Sequence, residues 1–364
     1  MYSFPGQKTK QCQLDRLLRT TTEEGADFVA SLKAARDSMY TVLATRGIRS
    51  EDREEALLAY LPYAHSLVVT VEENPGMRLN GVLRYGWTSI LYRKPSKVLE
   101  VSNTYMDVTQ MLNGLAAARS NRAAELMATT TSEEDFLVNV KVAAKYLREA
   151  AGMWEFLCDR YLSRWVNWPT HRPPEVMIPV AQACSLAALA QAQQLTVKKG
   201  AIDGVSPSLL GKLLLDVAVK YSTAHDLIRG SSEYDDIDKT FRKFLLANAS
   251  FHRAMAFKFF AITKYDPEDC AETIGEVATL ITVARKEIEK TKHTKLPSEL
   301  QDLKAAIIDE IPEIDALHEL YTREARTVYF ISPVELALID LPGPKDLTTP
   351  IAFDEPEVLF SELL

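Results

Sequence analysis

The stretch from Gly204 to Leu213, GVSPSLLGKL, comes nearest in this chain to residues that could handle a phosphate. A phosphate-cradling loop needs about four residues between its glycines, then Lys and a Ser or Thr hydroxyl to hold magnesium. Here six residues separate Gly204 from Gly211, and Leu213 follows Lys212, so nucleotide chemistry fails on both counts. The histidines at 65, 171, 225, 252, 293 and 318 form no H-x-x-x-H or H-E-x-x-H pair, and no Cys or carboxylate cluster at ligand spacing accompanies them. The acidic runs Glu133-Glu134-Asp135 and Glu233–Asp238 could in principle hold paired carboxylates. Each is more simply a helix N-terminus, where negative charge meets the positive end of the dipole. No nucleophile elbow, dinucleotide loop or Cys–His arrangement is readable. The expectation is a non-enzyme with no catalytic residue, metal, cofactor or small-molecule substrate.

The elements that must position any site are helical. Gly is scarce, 14 in 364 residues, well below the usual ~7%, which favours helices and short turns over nucleotide-cradling loops. Thr21 or Thr22 caps a first helix running to about Arg46, with Glu23 and Glu24 in its first turn. Ser50 caps a second that ends around Ala64. Leu67–Val71 is β-branched, Asn74-Pro75-Gly76 is a turn signal and Leu79–Trp87 alternates loosely. The pattern predicts a small antiparallel sheet over about 67–90, inserted in an otherwise helical protein.

After Pro95, helical segments are expected at about 97–128, 132–166, 174–202, 207–229, 236–264, 267–292 and 298–328. Ser132, Asp266-Pro267 and Pro297-Ser298 read as helix starts. Ala254, Phe257 and Ala261 before Asp266-Pro267 look like a tetratricopeptide-style hairpin, although the full repeat is absent. Beyond Pro333, Pro342, Pro344, Pro350 and Pro356 exclude a helix, while Leu336, Leu347, Ile351, Phe353 and Phe360 keep the segment apolar. This predicts an extended strap over 331–364 lying along a solenoid core of 97–330. With no clean linker, residues 1–364 read as one elongated, bent helical domain.

The helix after Pro207 has more leucine than one core face can use. At about 100° per residue, Leu210, Leu214, Val217 and Tyr221 share a stripe about 40° wide. Leu209 lies about 100° from its centre and Leu213 about 60°, both toward the sector of Asp216 and Lys220. Two leucines one turn apart beside charges read as a small exposed docking patch. A second packing surface is the alternative, since Leu215 and Val219 are apolar on another side.

This region also carries a resemblance. AQAQ (Ala190–Gln193), an apolar pair, a Gly/Asp loop and a leucine-rich helix ending in Ala-x-x-Tyr resemble the central signature of the BRO domain, an endosomal-sorting adaptor module. Tyr85-Gly86-Trp87-Thr88 resembles the aromatic-x-Trp segment closing that family's small sheet. Val140–Phe156 is similar to its Ala-Ala-x-x-aromatic helix, and Val328-Tyr329-Phe330 with Pro333 to its aromatic-plus-proline exit. The matches fall in the family's order over roughly residues 50–360. The resemblance implies a helical solenoid with a small sheet, possibly including an N-terminal strand. It implies docking of the C-terminal amphipathic helix of an ESCRT-III filament subunit, read by anchors at i, i+3, i+4 and i+7. The family's two groove aliphatics match Leu209 and Leu213. Its groove aromatic matches Thr196, beside Val197, so the chain departs from the pattern there. Lys220 completes the expected partner-binding set, and Tyr329 matches a tyrosine that is regulatory in some relatives.

Composition bounds the rest. A net charge of −8 argues against bulk nucleic-acid binding. Cys12, Cys158, Cys184 and Cys270 are far apart, which points to reduced thiols and a cytosolic setting. No apolar run reaches about 18 residues. Any membrane contact would be peripheral, through basic clusters at Lys198-Lys199, Arg242-Lys243 and Arg285–Lys295 meeting anionic lipid, although solvated helix faces explain these too. The expected protein is cytoplasmic and recruited to endosomal membranes. The alternative is a helical-repeat scaffold that binds some other peptide.

Overall fold

The computed structural model describes all residues except 15–17, 19–21, 75–81, 167, 269, 293 and 361–364. Thr21, the Pro75-Gly76 turn, Leu79 and His293 therefore lie outside the described residues. The fold is mainly α. Helices α1 (Glu23–Ala44) and α2 (Ser50–Glu73) precede strands β1 (Tyr85–Thr88) and β2 (Val98–Val101). Then follow α3 (Thr104–Ala128), α4 (Glu133–Phe156), α5 (Ile178–Ile202), α6 (Pro207–Arg229), α7 (Lys239–Lys264), α8 (Ile274–Lys292) and α9 (Gln301–Thr327). Each helix packs against the next in chain order, which makes the stack a solenoid.

Capping chemistry explains most boundaries. Thr22, Asn103, Ser132, Ser206 and Asp238 each accept a hydrogen bond from a first-turn backbone N–H of α1, α3, α4, α6 and α7. The acidic runs at 133–135 and 233–238 are thus helix starts, as their spacing predicts. Ser50 is instead the first residue of α2, behind Arg49, and its hydroxyl donates to Glu125.

Five expectations are corrected. Leu67–Val71 is not a strand, and α2 does not stop near Ala64; the helix continues through Pro62 to Glu73. Leu67, Val68 and Thr70 are buried there. Side-chain hydroxyls reinforce the ladder past the missing proline donor, Ser66 to the Pro62 carbonyl at 2.7 Å and Thr70 to the Ser66 carbonyl at 2.8 Å. Burial on a helical face overrides β propensity, which is largely a preference for packing surroundings. The sheet accordingly lies at 85–101, not 67–90: β1 pairs antiparallel with β2 from Tyr85↔Val101 to Thr88↔Val98. The N-terminal segment adds a bridge, Thr9 to Trp87, on the other edge of β1. Residues 98–101 are therefore strand where a helix is expected, and α8 starts at Ile274 rather than near Pro267.

Two apolar clusters fill the stack. One holds Trp87, Trp154, Tyr161, Val217, Tyr221 and Phe241; the other holds Leu214, Phe257, Phe260, Ile281, Ile314 and Tyr321. Helix α6 supplies both, so the clusters share a wall. Under the sheet, the Arg36 guanidinium donates twice to Asp107 at 2.7 Å, while Trp87 Nε1 and Tyr60 Oη donate to the same carboxylate.

Beyond α9 the chain returns across the stack as an extended strap. Val334 bonds to Gly275 of α8, Lys345 to Lys212 of α6, and Leu347 to Gln193 of α5. Ile351 then bonds to Arg148 of α4, Phe353 packs on Phe156, and Phe360 stacks on Phe28 of α1 at 5.1 Å. Gly152 permits this path: a Cβ there would stand 1.7 Å from the Ile351 carbonyl oxygen.

Candidate functional site

The α5–α6 turn is built by its residue types. Gly204 adopts φ +74°, open to glycine at little cost, and Ser206 and Pro207 start α6. The stretch from Gly204 to Lys212 is therefore a turn and a helix start. Leu210, Leu214, Val217 and Tyr221 are buried, as the helical stripe requires. Leu209 is half-buried at the N-terminal end of α6.

Leu213 overturns the expectation of partial exposure, being only 3% exposed. The physical reason lies beyond α6. The Gln193 amide donates to the Leu213 carbonyl at 3.1 Å and to the Lys345 carbonyl of the strap at 2.9 Å, while its oxygen accepts from Leu347 N–H at 2.9 Å. The strap thus lies over the α5–α6 face at Leu213. Lys220, expected to meet a partner, is 6% exposed and already committed to two carboxylates. One is Asp216, a turn earlier on α6; the other is Asp346 of the strap, at 2.9 Å. Burial pushes the Asp216 carboxyl up, and the Lys220 ammonium opposes that shift.

Thr196 and Val197 are both half-buried. Thr196 turns its hydroxyl to the Ala192 carbonyl, whereas Val197 packs against the second apolar cluster. The structure therefore brings Leu213, Asp216, Lys220 and Gln193 together under the strap and leaves Leu209, Thr196 and Val197 partly exposed. Sequence reasoning missed Gln193, although a glutamine in an Ala- and Leu-rich helix was a signal: a buried amide requires partners. Tyr329 is half-buried against the second cluster, at the start of the turn out of α9.

His252, His65 and the four cysteines are buried. His252 is held neutral, its pKa lowered to about 4 by burial, with Nδ1 donating to the Asn248 carbonyl at 2.8 Å. His65 is buried against the Tyr161 hydroxyl at 2.7 Å. All four cysteines are free and buried, and burial pushes the Cys158 thiol up to about 12. Among the described residues, no group of three or more His, Cys, Asp or Glu is placed to hold a metal. No helix among them is long and apolar enough to cross a membrane. The basic clusters are largely paired: Lys199 with Asp203, Arg242 with Asp235, Arg285 with Asp315, Lys290 with Glu287 and Lys292 with Glu289.

A family model described as BRO1-like domain matches residues 4–363. A search of curated proteins finds no match. Among solved structures, ALIX in complex with the SIVmac239 PYKEVTEDL late domain is similar at TM-score 0.73 and 19% identity, over 99% of this chain and 50% of that one. The chain therefore spans about half the length of that ALIX structure. The ALIX BRO1 CHMP4C complex is similar at TM-score 0.71 and 18% identity, over 99% and 97% of the two chains. A structure described as the basis for endosomal targeting by the Bro1 domain is similar at TM-score 0.69 and 13% identity, over 97% and 92%.

Proposed function

Because the chain belongs to the BRO1-like domain family, we propose that it is a non-enzymatic adaptor that docks an amphipathic helix of an ESCRT-III subunit during endosomal sorting. The observation that carries this reading is the ALIX BRO1 domain in complex with CHMP4C, whose fold this chain shares over nearly its full length. Leu209 on α6 and Thr196 and Val197 on α5 are all partly exposed. They would meet the apolar anchors of such a helix, with Leu213 beneath them. The helix-in-groove mode needs this combination: apolar anchors on the ligand and a shallow apolar floor on the receptor. The resulting protein works in the cytoplasm and reaches endosomal membranes through its partners, since most of its clustered cations are paired on the surface. No catalytic step, cofactor, nucleic acid or small-molecule substrate enters this function. A regulatory role for Tyr329 rests on the family resemblance and is part of the same proposal.

Fluorescence anisotropy with a labelled peptide covering the C-terminal helix of CHMP4C tests the site. Burying a leucine contributes roughly 1.5–3 kcal/mol, so Leu209→Asp should weaken binding at least tenfold. Thermal melting should stay near the wild type, because Leu209 is only half-buried. Leu214→Asp is the contrasting control and should unfold the second cluster. Equal affinity of wild type and Leu209→Asp would sink this site. Capture from cytosol of a different helical partner, insensitive to Leu209, would favour the scaffold reading instead.

A further inference from the structure

We propose that the strap segment between Ile339 and Thr348 is a displaceable internal cover of the α5–α6 face, and that a docking helix must lift it to reach Leu213. This rests on the reading of the α5–α6 face as the docking site. The cover is pinned at both ends and thinly held between them. Ile339 and Thr348 are buried, at 6% and 3% exposure, while Gly343, Pro344, Lys345, Asp346 and Leu347 between them are all exposed. A Cβ at Gly343 would touch nothing within 4 Å. The middle of the segment is held chiefly by polar contacts: Lys345 N–H to the Lys212 carbonyl at 3.1 Å, the Gln193 amide group, and Asp346 to Lys220 at 2.9 Å. Leu347 is 51% exposed, so little apolar burial reinforces them.

What lies beneath is a different surface. Leu213 is 3% exposed, and Lys220 is buried between the carboxylates of Asp216 and Asp346. An unbridged cover would leave Leu209 and Leu213 one turn apart on a common face, the spacing an amphipathic helix reads. Polar contacts to one strap can be exchanged for contacts to another chain. The strap on either side of the segment can stay, because Val334 is bonded to Gly275 on one flank and Ile351 is bonded to Arg148 on the other. The cover therefore opens as a bridge between two fixed piers. Its closed population taxes apparent affinity by the fraction of molecules that are open.

Asp346→Ala removes the strap's carboxylate from Lys220, and with it the acceptor of the Thr348 N–H at 2.8 Å, without touching Leu209, Leu213 or the Val334 and Ile351 bonds. The labelled CHMP4C peptide should bind this variant about tenfold more tightly than the wild type, with melting temperature little changed. Hydrogen exchange on the wild type supplies the second measurement. Saturating peptide should raise exchange at the Lys345 and Leu347 amides while those of Val334 and Ile351 stay protected. If both proteins bind equally and the Lys345 and Leu347 amides keep their protection in the complex, the cover idea is overturned and the docking site stands. If neither protein binds the peptide, the docking reading fails and the cover falls with it.

Discussion

Gln191 and Gln193, two residues apart on α5, hold opposite ends of the chain: Gln191 accepts from Tyr2 N–H at 2.8 Å, and Gln193 accepts from Leu347 N–H at 2.9 Å. Both side chains are almost fully buried. The N-terminal segment and the C-terminal strap thus converge on one helix in the middle of the stack. Each amide accepts from a backbone donor, buried at Tyr2 and part-buried at Leu347.

Gln193→Leu should therefore cost about 1–3 kcal/mol, because it strips a partner from the Leu347 N–H and from the Lys345 carbonyl. Urea denaturation measures the loss. Limited proteolysis should locate it, with faster cleavage near Lys345 and no change near Tyr2. Gln191→Leu should reverse that pattern.

Gly152→Ala places a methyl against strap backbone rather than against a flexible side chain, 1.7 Å from the Ile351 carbonyl oxygen. The strap must shift, and overpacking of this kind costs about 1–3 kcal/mol. Exchange at the Ile351 amide should rise. Gly343→Ala is the control, since open space surrounds that position, and its stability should match or slightly exceed the wild type.

Stability should fall with acid through His252. Burial holds its pKa at about 4 against an ordinary 6.5, so the unfolded chain takes up a proton that the folded chain refuses. The contribution is complete above about pH 6.5 and is lost as pH falls toward about 4, amounting to about 3 kcal/mol. The Asn248 carbonyl requires a proton on Nδ1, and Nε2 accepts from Gln194 at 2.8 Å. A second ring proton would face that donor. In chemical denaturation at stepped pH, His252→Asn should flatten the wild-type slope across this window. An unchanged slope would assign the acid sensitivity to other groups.

Phe330 holds φ +56° while 83% exposed, an arrangement that L side chains adopt at a cost and that no packing offsets. Phe330→Asn, which tolerates this conformation, should raise stability by about 0.5–1 kcal/mol. A small rise in melting temperature is the expected readout. A fall would mean that the ring makes a stabilising contact in solution.

Local signals were strong in the sequence. Thr22 and Ser132 declared their helix starts through cap chemistry, and the stripe of Leu210, Leu214, Val217 and Tyr221 declared the buried face of α6. These are interactions within one or two turns, so neighbouring residue types suffice to determine them. The failed phosphate-loop spacing at Gly204–Lys212 was readable for the same reason, and motifs spread along the chain carried the family resemblance. Only the tertiary structure decided that Leu67–Val71 continues a helix, because burial against distant segments outweighed the local β preference. It also decided the state of Leu213 and Lys220. Periodicity can say which side of α6 they occupy, but not that Lys345 and Asp346 return across the whole solenoid to cover that side. Helical faces are set by contacts near in sequence, whereas the exposure of a face depends on what the rest of the chain lays against it.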